Sequence, residues 1–138
     1  MGNGRQVVGG AVSIGGRKLS VSTAIRAGDF VFLAGQIPIR NGEVVTEGSI
    51  EDQTKIVLDL IKSTLAEAGC GLEDVVKSMV WLRERADFAG FNAVYGDYFP
   101  TEPPARSAVI SDLLVDVRVE VEVVAYRPTP TVREPAEA

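Results

Sequence analysis

The 138-residue chain contains no histidine. That absence excludes Ser-His-Asp and Cys-His nucleophiles, HExxH metal sites and imidazole general bases together. There is a single cysteine, Cys70, so neither an intrachain disulfide nor a thiolate zinc cluster can form, as suits a reducing compartment. No apolar run approaches the roughly 20 residues of a membrane-spanning helix, and the opening MGNGRQVVGG offers no apolar stretch of signal-peptide length. Basic residues are the minority: 14 Lys and Arg against 19 Asp and Glu leave a net charge of −5. A duplex-binding protein needs a basic face to displace counterions, so nucleic acid is not an expected partner. These deficits predict a cytoplasmic protein that engages neither membrane nor nucleic acid. Its chemistry must rest on Arg, Lys, carboxylates, hydroxyls and backbone groups.

What remains is ordinary for one globular domain, with 46% apolar and 24% charged residues. A chain of this length buries roughly 68–70% of its unfolded surface, enough for a core without staples. Residues 1–19 are glycine-rich and predict an extension with one short β-like run, Ala11–Ile14. Phe30–Ala34 is compact and β-prone, bounded by Gly28-Asp29 and Gly35, and reads as a buried strand. Asn41-Gly42 between apolar segments predicts a hairpin, because both residues tolerate positive φ.

A helix is predicted from Ile50 to Ala68, with Ser49 as N-cap, Asp52 three residues on and Gly69 placed to stop it. Ile56, Val57, Leu60, Ile61 and Leu65 form its apolar stripe. Val75–Leu82, containing Trp81, predicts a strand. Phe88, Phe91, Tyr95 and Tyr98 recur at helical spacing, predicting a second helix over Asp87–Phe99 that Pro100 ends. Two more strands follow, Ala105–Ile110 and Val117–Tyr126. In the last, Val119, Val121, Val123 and Ala125 alternate with Arg118, Glu120, Glu122 and Val124. The Pro-rich, charged end predicts a flexible tail over 128–138, leaving 20–127 as the folded domain.

This order predicts an α+β fold, a mixed β-sheet with two helices on one face. The other sheet face must be wet or covered by another subunit, and its many valines favour an oligomer.

Four features could carry chemistry. Arg106 follows Pro103-Pro104, which restrict the backbone, and its planar fork matches a carboxylate bidentately; a surface ion pair is the plain alternative. Glu120 and Glu122 share one strand face, which is a solvated edge unless that face lines a cleft. Partial burial there would raise a carboxyl's pKa and suit it to relaying protons to and from water. Gly35-Gln36, directly after a buried strand, marks a bulge or a close backbone approach. Cys70 follows a helix C-terminus, whose dipole raises a thiol's pKa, and no histidine can activate it. The aromatic stripe and Trp81 read most simply as core. Asn92 faces either solvent or a site.

Several of these segments resemble the RidA (YjgF) family. They are Ala24–Pro38, the helix from Gln53 onward, Asp74-Val75-Val76-Lys77, Asp87-Phe88, Phe91–Tyr95, Tyr98-Phe99, Pro104-Ala105-Arg106-Ser107 and Val119–Ala125. The likeness covers Ser22 to Tyr126 in the right order. It implies a chorismate-mutase-like fold assembled as a homotrimer, with three clefts between subunits. It also implies hydrolysis of reactive 2-imino or 2-enamino acids to 2-keto acids and ammonia, with neither metal nor organic cofactor. By this resemblance Arg106 grips the carboxylate of a small metabolite and Glu120 positions or activates the water. Backbone groups near Gly35 and Ala108 line the pocket, with Phe88 and Asn92 nearby.

The chain departs from that pattern in three places. Leu19-Ser20-Val21-Ser22 stands where family deaminases carry Gly-Pro-Tyr-Ser, so Val21 replaces a pocket tyrosine. Ala34 replaces a serine before Gly-Gln. The loop from Ala108 to Val117 is a residue short and lacks Leu-Pro. Two hydroxyls are lost from the expected site wall. The departures leave open a non-catalytic metabolite-binding trimer, or a specialised pathway enzyme with an altered, more apolar pocket.

Overall fold

Ser49 begins the longest helix. Its hydroxyl accepts the N–H of Asp52 at 3.1 Å, and the Asp52 carboxylate accepts the N–H of Ser49 at 3.3 Å. This reciprocal pair satisfies donors that a helix start otherwise leaves bare, and α1 runs from it over Ile50–Glu67. The structure, a computed structural model, describes residues 4–129. Of the tail expected over 128–138, all but Pro128 and Thr129 lies outside the described residues.

The buried stripe of α1 is rotated from the one its apolar residues predict. Ile50, Gln53, Thr54, Val57, Leu58, Ile61, Thr64 and Leu65 face the core, while Ile56 and Leu60 are half-buried. Gln53 tolerates full burial because both ends of its amide are used. Its Nε2 donates to the Glu47 carbonyl at 3.1 Å, and its Oε1 accepts the Arg118 N–H at 2.8 Å. Gln53→Leu strips two backbone groups of their partner. It is expected to cost about 2–4 kcal/mol, read as a lower midpoint in urea unfolding.

Six strands form the main sheet: β1 (Arg5–Ile14), β2 (Arg17–Ala27), β3 (Phe30–Leu33), β6 (Val75–Leu82), β7 (Ala105–Ile110) and β8 (Val119–Tyr126). Their order is β1-β2-β3-β8-β6-β7, antiparallel throughout except for the parallel β6–β7 pair, so the sheet is mixed. The hairpin around Asn41-Gly42 is the small pair β4 (Ile39–Arg40) and β5 (Glu43–Val44), and φ is 54° at Asn41 and 78° at Gly42. The second helix, α2, spans Phe88–Tyr98.

The N-terminal strand is longer than its glycines predict. The β1–β2 register slips between Val8 and Ala11, where Gly9 and Gly10 take φ of 77° and 72°. A glycine bulge thus carries the ladder onward instead of ending it. Over residues 5–19, the expected extension is therefore part of the sheet. β8 starts at Val119, two residues later than expected, with Val117 buried ahead of it.

Both helices cover one sheet face. Ala24, Val31, Leu33, Val80, Val121 and Val123 pack there against Val57, Leu58 and Ile61 of α1 and Phe91 and Val94 of α2. The described residues leave the other face open. Val7, Phe30, Phe32, Val109 and Tyr126 are 42–47% exposed on it. Phe30 lies with its ring centre 5.0 Å from that of Tyr126 and 6.3 Å from that of Phe32. Trp81, expected in the core, is half-buried on this outer side, opposite Glu120. Among the described residues no helix is long and apolar enough to cross a membrane.

Candidate active site

Among the described residues β7 is an edge strand, paired only with β6. Its Arg106 stands opposite Ser78, and Ser78 stands opposite Val123 of β8. Residues opposed across a ladder share a face, so Arg106 lies on the helix side of the sheet. There its guanidinium carbon is 4.7 Å from the ring centre of Tyr95, 5.7 Å from that of Phe91 and 5.8 Å from that of Phe88. These distances allow cation–π attraction to three rings of α2. The aromatic stripe therefore does more than fill the core. Phe91 and Tyr95 are buried as expected, but together with exposed Phe88 they form the platform that aims Arg106.

The platform is itself anchored. The Tyr95 hydroxyl donates to Ser78 Oγ at 2.8 Å, and burial pushes its pKa up. No ion pair among the described residues uses Arg106, so the guanidinium donors remain available to a ligand.

The open edge of β7 adds backbone groups. Across β6, Ser111 donates its N–H to the Leu82 carbonyl at 2.9 Å. Alternate residues of a parallel ladder point their groups the same way, so the N–H and C=O of Ala108 face the open edge. Ala108 and Phe88, with Leu82, Arg85, Val109 and Ile110, line a cavity of about 510 Å³. Asn92 is exposed one turn beyond Phe88 on the same side of α2.

Glu120 sits on the opposite face. Val119, Val121 and Val123 point inward, which leaves Glu120 and Glu122 outward beside Trp81 and Met79. Burial pushes the Glu120 carboxyl above the usual range, and the charge of Glu122 adds to the rise. Gly35 is its neighbour: a Cβ at this position would overlap the Glu120 carboxylate. The expected bulge is present there. From Phe32 to Gln36 the chain takes four steps, while the facing strand takes three, from Val124 to Val121. The backbones of Gln36 and Val121 then close the ladder with bonds of 2.8 and 3.0 Å. Ala34 is half-buried within the bulge, its N–H held by the Thr23 carbonyl at 2.9 Å.

The predicted residues thus fall into two groups. Arg106, Phe88, Ala108 and Asn92 gather at the β7 edge on the helix side, while Glu120, Gly35 and Ala34 gather on the outer face. One chain does not bring the two groups together. Val21 joins neither; it lines a cavity of about 400 Å³ with Ala11, Lys18, Leu19, Ser20 and Ser22 on the β1–β2 hairpin. Sequence reasoning missed the platform and the cavity wall formed by Leu82, Arg85, Val109 and Ile110. The three- and four-residue spacing of Phe88, Phe91 and Tyr95 was a usable signal for the platform. Nothing local marked the wall.

Cys70 lies elsewhere. It is buried beyond the end of α1, where Arg26 Nη2 donates to the Ala68 carbonyl at 2.7 Å and lies 3.9 Å from Cys70 Sγ. Its thiol pKa is raised, in the expected direction, but burial and not the helix dipole is the leading cause, with Arg26 opposing it.

A family model described as endoribonuclease L-PSP matches residues 18–127. The RutC family protein PH0854 of Pyrococcus horikoshii is 50% identical over 109 residues, covering 77% of this chain and 86% of that protein. The crystal structure of yeast Mmf1 superposes with a TM-score of 0.81 at 35% identity, covering 89% of this chain and 98% of that one. That of E. coli TdcF with bound serine gives 0.78 at 29% identity, covering 88% and 98%.

Proposed function

The chain belongs to the YjgF/RidA family, and from that membership we propose that it hydrolyses reactive 2-imino acids and their 2-enamino tautomers to 2-keto acids and ammonia. The site lies between two copies of a homotrimer, where Arg106 of one copy meets Glu120 of another. One observation carries this reading: the available guanidinium and the carboxyl of raised pKa lie on opposite faces of one sheet, and the face bearing the carboxyl is apolar and uncovered. TdcF, a relative with bound serine, supports an amino-acid-like carboxylate as ligand.

The chemistry asks little of the protein. An iminium carbon is already electrophilic, so the site must hold the substrate carboxylate, place a water and move a proton. Arg106 supplies a two-pronged grip on the carboxylate. Glu120 takes a proton from water as its oxygen bonds to the iminium carbon, giving a carbinolamine. The same carboxyl returns the proton to the nitrogen, and as the C–N bond breaks the regenerated carboxylate takes the hydroxyl proton, so that a carbonyl forms and this last proton leaves with the ammonia. One water enters and one ammonia leaves. A carboxylate that takes a proton from water and returns it to nitrogen can perform both transfers in turn. Fixing substrate and water together lowers the barrier further, with ~7–11 kcal/mol a ceiling for well-oriented reactants.

Val21 and Ala34 favour a second reading, a trimer that binds such metabolites without turning them over, because neither offers the hydroxyl found in family deaminases. RNA cleavage, which the family description suggests, sits poorly with a net charge of −5.

Imino acids generated in situ decide between these readings. The protein is expected to accelerate ammonia and keto-acid release above the uncatalysed rate. No acceleration, together with calorimetric binding of 2-keto acids, would establish the binding reading instead.

Assembly has its own test. Sedimentation is expected to give three times the 14.7 kDa chain mass. Phe32→Glu, which puts a charge on the uncovered apolar face, is expected to shift the mass to that of a single chain and abolish activity. A wild-type protein that sediments as a single chain would remove the shared site.

A further inference from the structure

An open, largely apolar groove lies next to the Arg106 platform. Leu82, Phe88, Ala108 and Ile110 give it apolar side chains, Arg85 is the charged exception, and Val109, whose side chain is on the outer face, borders it along the edge strand. At about 510 Å³ it lies well within the range of ligand pockets. Phe88 belongs to both features, since its ring touches the Arg106 platform and walls the cavity. From Arg106 the wall continues along β7 through Ala108 to Ile110, two and four residues on, or roughly 7 and 13 Å of strand. A carboxylate on Arg106 therefore has this space within reach of whatever hangs from its 2-carbon.

We propose that the cavity is the substrate side-chain pocket and selects large apolar 2-imino acids, aromatic ones above all. This rests on the function proposed above and adds the substrate class. Phe88 supplies a ring edge or face to an aromatic side chain, and exposed Arg85 at the cavity supplies a guanidinium plane to stack on it. Small side chains leave the cavity wet and gain nothing from it.

Calorimetry with 2-keto acids, the reaction products, reads the preference without needing turnover. Phenylpyruvate is expected to bind at least tenfold more tightly than pyruvate, with 4-methyl-2-oxopentanoate between them. Imino acids generated in situ from phenylalanine and alanine are expected to show the same order in kcat/KM. Ile110→Trp fills the cavity from a half-exposed position and is expected to cut the phenylpyruvate-to-pyruvate preference by roughly tenfold. Ile110→Ala, which leaves the cavity open, is expected to keep it.

Equal affinities, absence of binding by either acid, or a preference that Ile110→Trp leaves untouched would overturn the pocket. Tighter binding of 2-oxoglutarate than of phenylpyruvate would also overturn it, by making Arg85 an anchor for a second carboxylate. Hydrolysis with a flat substrate profile sinks this inference alone. Selective phenylpyruvate binding without hydrolysis of any imino acid sinks only the reaction and leaves the pocket standing.

Discussion

Replacing Arg106 with alanine is expected to lower kcat/KM for a 2-imino acid roughly 10²- to 10⁴-fold. Each hydrogen bond to a charged group contributes about 1.5–3 kcal/mol, and the guanidinium offers two in parallel to one carboxylate. Arg106→Lys is expected to restore little, because an ammonium is a point charge without the planar fork that lies on the Tyr95 ring. Folding is expected to survive both changes. No ion pair among the described residues uses Arg106, and its ring contacts contribute about 0.5–2 kcal/mol. Steady-state ammonia release with thermal melts separates the two effects. Equal rates for wild type and Arg106→Ala would remove Arg106 from the mechanism.

Glu120→Gln is expected to lower kcat roughly 10²- to 10⁴-fold, the usual worth of a positioned acid or base, with KM moving far less. The wild-type pH profile supplies an independent signature. In the proposed cycle the carboxylate acts first, so the rate is expected to fall as pH drops through the Glu120 pKa. Burial and the neighbouring charge of Glu122 hold that pKa above the ordinary carboxylate value. Removing the charge with Glu122→Gln lowers the pKa, so the acid limb is expected to move to lower pH. A limb that stays in place would show that Glu120 is not the titrating group. Gly35→Ala supplies a steric control. Its methyl displaces the Glu120 carboxylate from its present position, and the variant is expected to lower kcat by a smaller factor than Glu120→Gln.

Much of the fold was legible wherever the deciding interaction is local. The Ser49–Asp52 capping box, the Asn41-Gly42 turn and the alternation of Val119–Ala125 each depend on residues a few positions apart, and each appears as expected. The Gly35 bulge was legible because a glycine after a strand signals a backbone that departs from the ladder. Where the deciding contact is distant, the reading went astray. Ile56 and Leu60 are as apolar as Val57, yet α1 turns Gln53 and Thr54 inward in their place. Gln53 finds its partners at Glu47 and, 65 residues away, at Arg118. The length of β1 was hidden for a related reason: Gly9 and Gly10 look like strand breakers until β2 is there to hold a bulge.

The chemistry available to this protein was determined by its amino acids alone. Without histidine and with one buried cysteine, it is left with an arginine in Pro-Ala-Arg-Ser and carboxyls on a final strand, in an order shared with one family. Tertiary structure decided which face each group occupies. Strand alternation sets a side chain's face only relative to its neighbours in the chain. The insertion of β8 between β3 and β6, with β7 left at the edge, is a long-range pairing. That pairing sends Arg106 onto the aromatic rings of α2 and Glu120 to the far side of the same sheet.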